Sequence, residues 1–263
     1  AGRCPATTST TAAEMSGPGR IRLWAVVFWL AVWQIASMVI HQDLFLVSPV
    51  RVVVRLGQLV TEGFFWSSIA NSLLRIGGGF LLAVVSGVVL GALAARFRRV
   101  QELLAPLMLA VKSIPVASFI TLALMLFSSR HLAVLISFLI VLPVIYTNVL
   151  AGIRSADRQL LEMARVFRIP AARRIRYIYL PQVLPYFLSA CTVALGLSWK
   201  AGVAAEVIGM PEGSIGEQLQ QAKIYLNTPD LLAWTVVIVL VSLGFEKLFL
   251  ALIRRAAKRL ERM

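Results

Sequence analysis

Along this chain, long apolar runs alternate with short segments that carry most of the charge. A helix needs about 20 residues to cross the ~30 Å hydrocarbon core of a bilayer, and six runs approach or exceed that length. They are Leu23 to Ile40, Ile69 to Ala95, Leu103 to Phe127, Leu132 to Ala151, Val183 to Ile208 and Leu231 to Ile253. The pattern predicts an all-α, polytopic membrane fold with six transmembrane helices. Between the first two runs, Ser48 and Pro49 precede Val50 to Leu59, whose Val, Leu and Arg spacing suits a short amphipathic surface helix. The stretch Gly209 to Asp230 holds Pro211, Gly213, Gly216 and a polar run from Glu217 to Gln221. It predicts a short re-entrant or surface helix with a loop, placed to meet a soluble partner.

Within the runs, small residues and prolines add detail. Gly77, Gly78 and Gly79 are followed by Gly87 and Gly91 at GxxxG spacing, which lets a second helix approach the backbone closely. Pro106, Pro115 and Pro143 are expected to bend or interrupt the third and fourth spans, which is tolerated where neighbours or water satisfy the freed carbonyls.

Composition agrees with a lipid environment. Of the 263 residues, 59% are hydrophobic and only 14% charged, and the mean hydropathy of +0.83 excludes an ordinary soluble domain. The net charge of +14 would suggest nucleic acid in a soluble protein, but here the bases cluster at the ends of apolar runs. With the N-terminus in the cytosol, 18 of the 26 Lys and Arg residues fall in inside segments and four outside. This bias predicts both termini cytosolic and places residues 155–180 on the cytosolic face. The protein is expected in a membrane, in contact with lipid and not with nucleic acid. Residues 1–20 read as a disordered cytosolic tail, or as sequence upstream of a start at Met15, ahead of a single transmembrane domain over 21–263.

Redox and catalytic chemistry find little support. Cys4 and Cys191 form neither a disulfide framework nor a CxxC pair. His41 and His131 both fall at outer span ends, and HExxH, GxSxG and the GxxxxGK[ST] phosphate loop are absent. No catalytic residue, metal site or bound cofactor is expected, and an intramembrane enzyme is disfavoured.

The segment from Asp157 to Pro181 reads as two short helices with a bend near Pro170. Leu160, Leu161, Ala164 and Phe167 line one face of the first helix, and Arg158, Glu162 and Arg165 the other. Glu162, Ala164, Ile178, Leu180 and Pro181 match in spacing the Glu-Ala-Ala loop of ABC importer permeases. The chain resembles this family from about Leu23 to its C-terminus, most closely the nitrate, sulfonate and taurine branch. Ser48-Pro49, Ser72-Leu73-Leu74-Arg75, Gly79-Phe80, Ser113-Ile114-Pro115, Asn148, Gly152, Arg154, Ser155 and Ala204-Ala205-Glu206 carry the resemblance further. Met163 replaces the first Ala of the motif and Arg168 the turn Gly. Arg at positive φ is strained, so the turn is expected to shift toward Ile169 and Pro170.

The resemblance implies a type I importer fold in a bacterial cytoplasmic (inner) membrane. Glu162, Met163, Ala164, Phe167, Arg168, Ile169 and Pro170 would couple to a separate ATPase, which would use ATP and Mg. Glu162 would brace the loop by hydrogen bonds; its alternative is a surface pair with Arg158 or Arg165. The implied partners are a second permease copy, two ATPase subunits and an extracytoplasmic solute-binding protein. The implied solute is an organic or inorganic anion such as a sulfonate or nitrate, with a vitamin precursor or aromatic compound as the alternative. An ion-driven carrier or channel is the rival of a different class, and it has no use for an ATPase-docking helix.

Ionisable groups at membrane depth usually face a bundle interior or a wet cavity, which singles out Arg75, Lys112, Lys200 and Glu206. With Asn71, Ser113 and Ser198 they form the candidate translocation path. Against that reading stand pairing between buried groups, bonds across helices and snorkelling toward an interface.

Overall fold

The computed structural model describes residues 23–40 and 47–261. The expected tail over residues 1–20, with Cys4 and Met15, lies outside them, as does His41. All regular structure among the described residues is helical. In order, the helices are α1 (Leu23–Ile40), α2 (Pro49–Val60), α3 (Gly63–Arg96), α4 (Arg98–Ser113), α5 (Val116–Leu126), α6 (Ser129–Arg154), α7 (Arg158–Val166), α8 (Ala171–Arg174), a π-helical turn (Ile175–Tyr179), α9 (Leu180–Gly209), α10 (Ile215–Ile224) and α11 (Thr228–Glu261).

The chain divides into a unit ending at Pro49 and a larger one beginning at Val50. In the first unit, α1 is apolar on every side, and Trp24 and Trp29 are each about two-thirds exposed. The Trp33 indole N–H donates to the Val47 carbonyl at 3.1 Å.

The second unit is organised on α3, α6 and α9, with α6 in contact with both others. Lipid tails are as apolar as leucine, so helices in a bilayer associate through close packing rather than through exclusion of water. Gly87 and Gly91 serve that purpose on α3. A Cβ at Gly87 would come within 2.9 Å of Ile145, and one at Gly91 within 3.0 Å of Val149, both on α6. Phe80, Ile145, Tyr146, Ala194 and Leu195 fill the core between the three helices. On its flank, Phe249 of α11 meets Phe80 edge-on at a centroid distance of 4.9 Å, and Trp199 meets Phe245 at 6.1 Å.

Four stretches among the described residues are long and apolar enough to cross a membrane: Gly63–Arg96, Ser129–Arg154, Ala171–Gly209 and Thr228–Ile253. By length and composition the count is four or five, against the six predicted, because α1 is short and the third predicted span is not continuous. Leu103 to Phe127 is instead two helices, α4 and α5, meeting at 105°. Pro115 is the reason. It offers no N–H to continue α4, and it drives Ile114 into extended backbone, φ −77° and ψ 128°. Pro106 and Pro143, by contrast, sit inside α4 and α6 without breaking them.

The fifth span also differs in extent, running as one 39-residue stretch from Ala171 through the π turn into α9. Within the π turn, the Leu180 N–H reaches back five residues to the Ile175 carbonyl. Widening the helix here gives room to the ring of Pro181, which would otherwise press on the carbonyl four residues earlier. The predicted surface helix is α2, anchored to the start of α11 by Arg55, whose guanidinium donates to both carboxylate oxygens of Asp230. That hydrogen-bonded carboxylate raises the Arg55 pKa above its ordinary value.

Candidate functional site

Three clusters hold the residues that the sequence singles out. The first is the loop containing α7. The Asp157 carboxylate caps this helix by accepting from the Gln159 N–H at 2.8 Å, while the Asp157 N–H donates to Gln182 Oε1 at 2.9 Å and ties the loop to α9. Ala164 is buried, whereas Val166 and Phe167 are 77% and 73% exposed. Leu160 and Met163 are exposed as well, and the Glu162 carboxylate forms no ion pair with Arg158 or Arg165 among the described residues. The helix therefore carries an outward apolar edge beside its charged residues.

The turn after α7 corrects the expectation for Arg168. It has not moved to Ile169 and Pro170; Arg168 itself takes φ +50°. The Ile169 N–H donates to the Ala164 carbonyl at 2.9 Å and the Arg168 N–H to that of Arg165 at 3.1 Å, which closes the helix with a Schellman arrangement. Pro170 is locked at negative φ, and β-branched Ile169 tolerates the left-handed region worse than Arg does. The strain therefore stays where glycine would remove it, at a cost of about 1 kcal/mol.

The second cluster joins α3, the end of α9 and the loop leading into α10. Glu206 is completely buried, and its Oε2 accepts from Ser72 Oγ at 2.6 Å and from the Gly216 N–H at 3.3 Å. Ser72 Oγ in turn accepts from the Ile215 N–H at 2.9 Å. Asn71 donates to the Gly213 carbonyl at 3.0 Å and Arg75 to that of Glu212 at 3.1 Å. A Cβ at Gly216 would stand 2.3 Å from the Glu206 Cβ, so only glycine lets α10 lie this close. Asn71, Arg75 and Glu206 are thus brought together, and they bind α10 and its loop.

The third cluster is a cavity of about 420 Å³ between α4, α5, α6 and α9. Lys112, in the last turn of α4, and Lys200, on α9, both line it. Every other lining side chain is apolar, Phe119, Ile140 and Leu197 among them. The break between α4 and α5 lies at its wall, and a broken helix at membrane depth is tolerated where it borders a cavity. The remaining two candidates lie apart from the cavity lining: Ser113 Oγ donates to the Leu109 carbonyl at 2.9 Å, and Ser198 is buried against the bundle. Sequence reasoning missed Ser72 and Gly216 as partners of Glu206. Ser72 carried a signal, a hydroxyl one helical turn from Arg75, but Gly216 carried none without the fold.

Apolar spans, a cavity lined by two lysines at a broken helix and the exposed apolar edge of α7 are features compatible with a membrane transport subunit. Residues 87–262 match the family described as "Binding-protein-dependent transport system inner membrane component". The chain is 28% identical over 216 residues to the putative aliphatic sulfonates transport permease SsuC of Bacillus subtilis, covering 81% of this chain and 78% of that protein. It is 30% identical over 214 residues to a probable ABC transporter permease of Brucella melitensis, covering 80% and 84%. The taurine transport permease TauC of Escherichia coli is 27% identical over 229 residues, covering 85% and 83%. A crystal structure of an amino acid ABC transporter with histidines superposes with a TM-score of 0.54 at 20% identity, covering 78% of this chain and 96% of that one, which establishes the fold alone. The chain belongs to the family of inner-membrane permease components of binding-protein-dependent ABC importers, and its fold is of the type I permease class.

Proposed function

We propose that this chain forms one half of a permease dimer, most simply a homodimer, that imports a small anion by alternating access, driven by ATPase subunits on separate chains. The observation that carries the reading is α7, a capped, half-apolar helix whose Val166 and Phe167 side chains are turned outward at the tip of the loop. Such a helix fits a groove on an ATPase, with Glu162, Met163, Ala164, Phe167, Arg168, Ile169 and Pro170 as the contact and turn residues. Nucleotide-driven movement of that groove would pass through the Asp157–Gln182 bond into α9, which carries Lys200 into the cavity. The positive-inside bias puts α7 and both termini in the cytosol, and α2 and α10 outside, where a solute-binding protein would deliver its cargo. Anionic cargo is favoured by the paired lysines of the cavity and by similarity to permeases named for sulfonates and taurine.

The test is co-reconstitution with the cognate ATPase and binding protein, comparing solute-stimulated ATP hydrolysis for the wild type, Glu162→Ala and Phe167→Ala. The expected result is at least tenfold loss of stimulation in both variants with insertion intact. A wild-type chain that joins no ATPase would overturn the reading.

A further inference from the structure

An amphipathic helix on a protein surface ordinarily buries its apolar stripe and shows its polar one. The α2 helix departs from that rule. Its buried residues are Val52 and Leu59, while Val50, Val53, Val54 and Val60 are between 40% and 66% exposed. At about 100° per residue, these four valines fill one arc of about 120°, with Gly57 in its middle. Arg51, Arg55 and Gln58 form a second arc, and Val53 and Val60 stand about 180° from its centre. The buried pair lies to one side, about 80° from the polar arc. One side of α2 is thus packed on the bundle, one is polar, and the side opposite the polar one is apolar and open among the described residues.

The surroundings of α2 name the occupant of that open side. Through Thr61 and Glu62 the helix runs into α3, a stretch long enough to cross a membrane. In the first turn of α3, Phe64 and Trp66 are 41% and 60% exposed, and the Trp66 indole N–H donates to the carbonyl of Val60, the last residue of α2, at 3.1 Å. Exposed aromatic rings at the start of a span belong at the headgroup boundary, so this bond holds the end of α2 at the same level. Protein docking sites centre on Trp, Tyr and Arg anchors, whereas the open arc holds only valines and one glycine. An apolar side opposite a cationic one, at that level, is the build of a helix lying in the interface plane. We propose that α2 lies flat in the membrane interface, with its valine arc in the acyl-chain boundary and Arg51, Arg55 and Gln58 toward headgroups and water. The lipid surface is then the partner of this face. Because Arg55 also donates to Asp230, α2 holds the adjoining ends of α3 and α11 at one depth. The inference goes beyond the importer reading and does not need it; that reading only makes the leaflet the outer one.

The experiment uses the full chain in nanodiscs of phosphatidylcholine and phosphatidylglycerol, carrying Cys4→Ser and a spin label on Val53→Cys, Val60→Cys or Gln58→Cys. All three positions are exposed, so the substitutions leave the packing intact, and the parent without an added cysteine gives the background from buried Cys191. Power-saturation EPR reads collision with oxygen, which concentrates in the acyl region, and with a water-soluble nickel chelate. The ratio of oxygen to nickel collisions is expected to be about threefold or more higher at Val53 and Val60 than at Gln58. Frequent nickel collisions at Val53 and Val60, equal to those at Gln58, would place the arc in water and overturn the proposal. Low collision with both reagents would mean that protein covers the arc, whether α1, a second copy or another segment, and would overturn it equally. The measurement needs no ATPase, so failure of the chain to join one removes the importer reading and leaves this result standing.

Discussion

The Glu206 corner and the Lys112–Lys200 cavity both place charged side chains at membrane depth, and they treat them in opposite ways. At the corner, the carboxylate is fully buried and receives a hydroxyl and a backbone N–H, while its neighbours Asn71 and Arg75 donate to backbone carbonyls of the adjoining loop. In the cavity, Lys112 and Lys200 lie among apolar lining residues, with no acidic side chain in the lining. The first arrangement joins helices; the second leaves charge available to something outside the chain. An ionisable residue in a membrane span is therefore not by itself evidence of a transport path, because its partners decide the role.

Substitutions can break or sharpen that contrast. Gly216→Val should have the largest effect, because its side chain would occupy the space of the Glu206 Cβ; we expect about 3 kcal/mol of destabilisation, read as a lower thermal midpoint in detergent. Glu206→Ala should cost about 2 kcal/mol in the same assay, since the Gly216 N–H loses its buried acceptor. If Glu206→Ala left stability unchanged but abolished anion binding, the corner would have to be counted with the path. Arg168→Gly, in the first cluster, should gain about 1 kcal/mol by removing left-handed strain, visible as slower hydrogen exchange in α7. The smallest stability effect is expected for Lys200→Gln, within about 0.5 kcal/mol, because that side chain is exposed and bonds no neighbour.

Much of the fold was legible along the chain. The α2 helix begins and ends within a residue of the Val50 to Leu59 stretch that apolar spacing predicts, because amphipathic period is a local property. Gly87 and Gly91 announced a close helix neighbour, though not that the neighbour would be α6. Hydropathy gave the third span as one run in which Pro115 was expected to bend or interrupt the helix; the break falls at Pro115, while its 105° angle was not legible along the chain. At Arg168, substitution of the usual glycine suggested a moved turn. Instead, the two Schellman bonds and the rigidity of Pro170 hold the turn in place.

Sequence by itself determined that this chain lives in a membrane, that it is helical throughout its spans and that its Glu162 to Pro181 spacing resembles that of importer permeases. These follow from apolar length, from charge at span ends and from residue spacing, all of which are read along one dimension. Tertiary structure alone decided which polar residues meet. Lys112 and Lys200 are separated by all of α5 to α8 and much of α9 yet line one cavity, whereas Ser198, two residues from Lys200, is buried in the bundle. Successive residues on a helix point about 100° apart, so neighbours in sequence face different surroundings, and only helix packing brings distant positions onto a common surface.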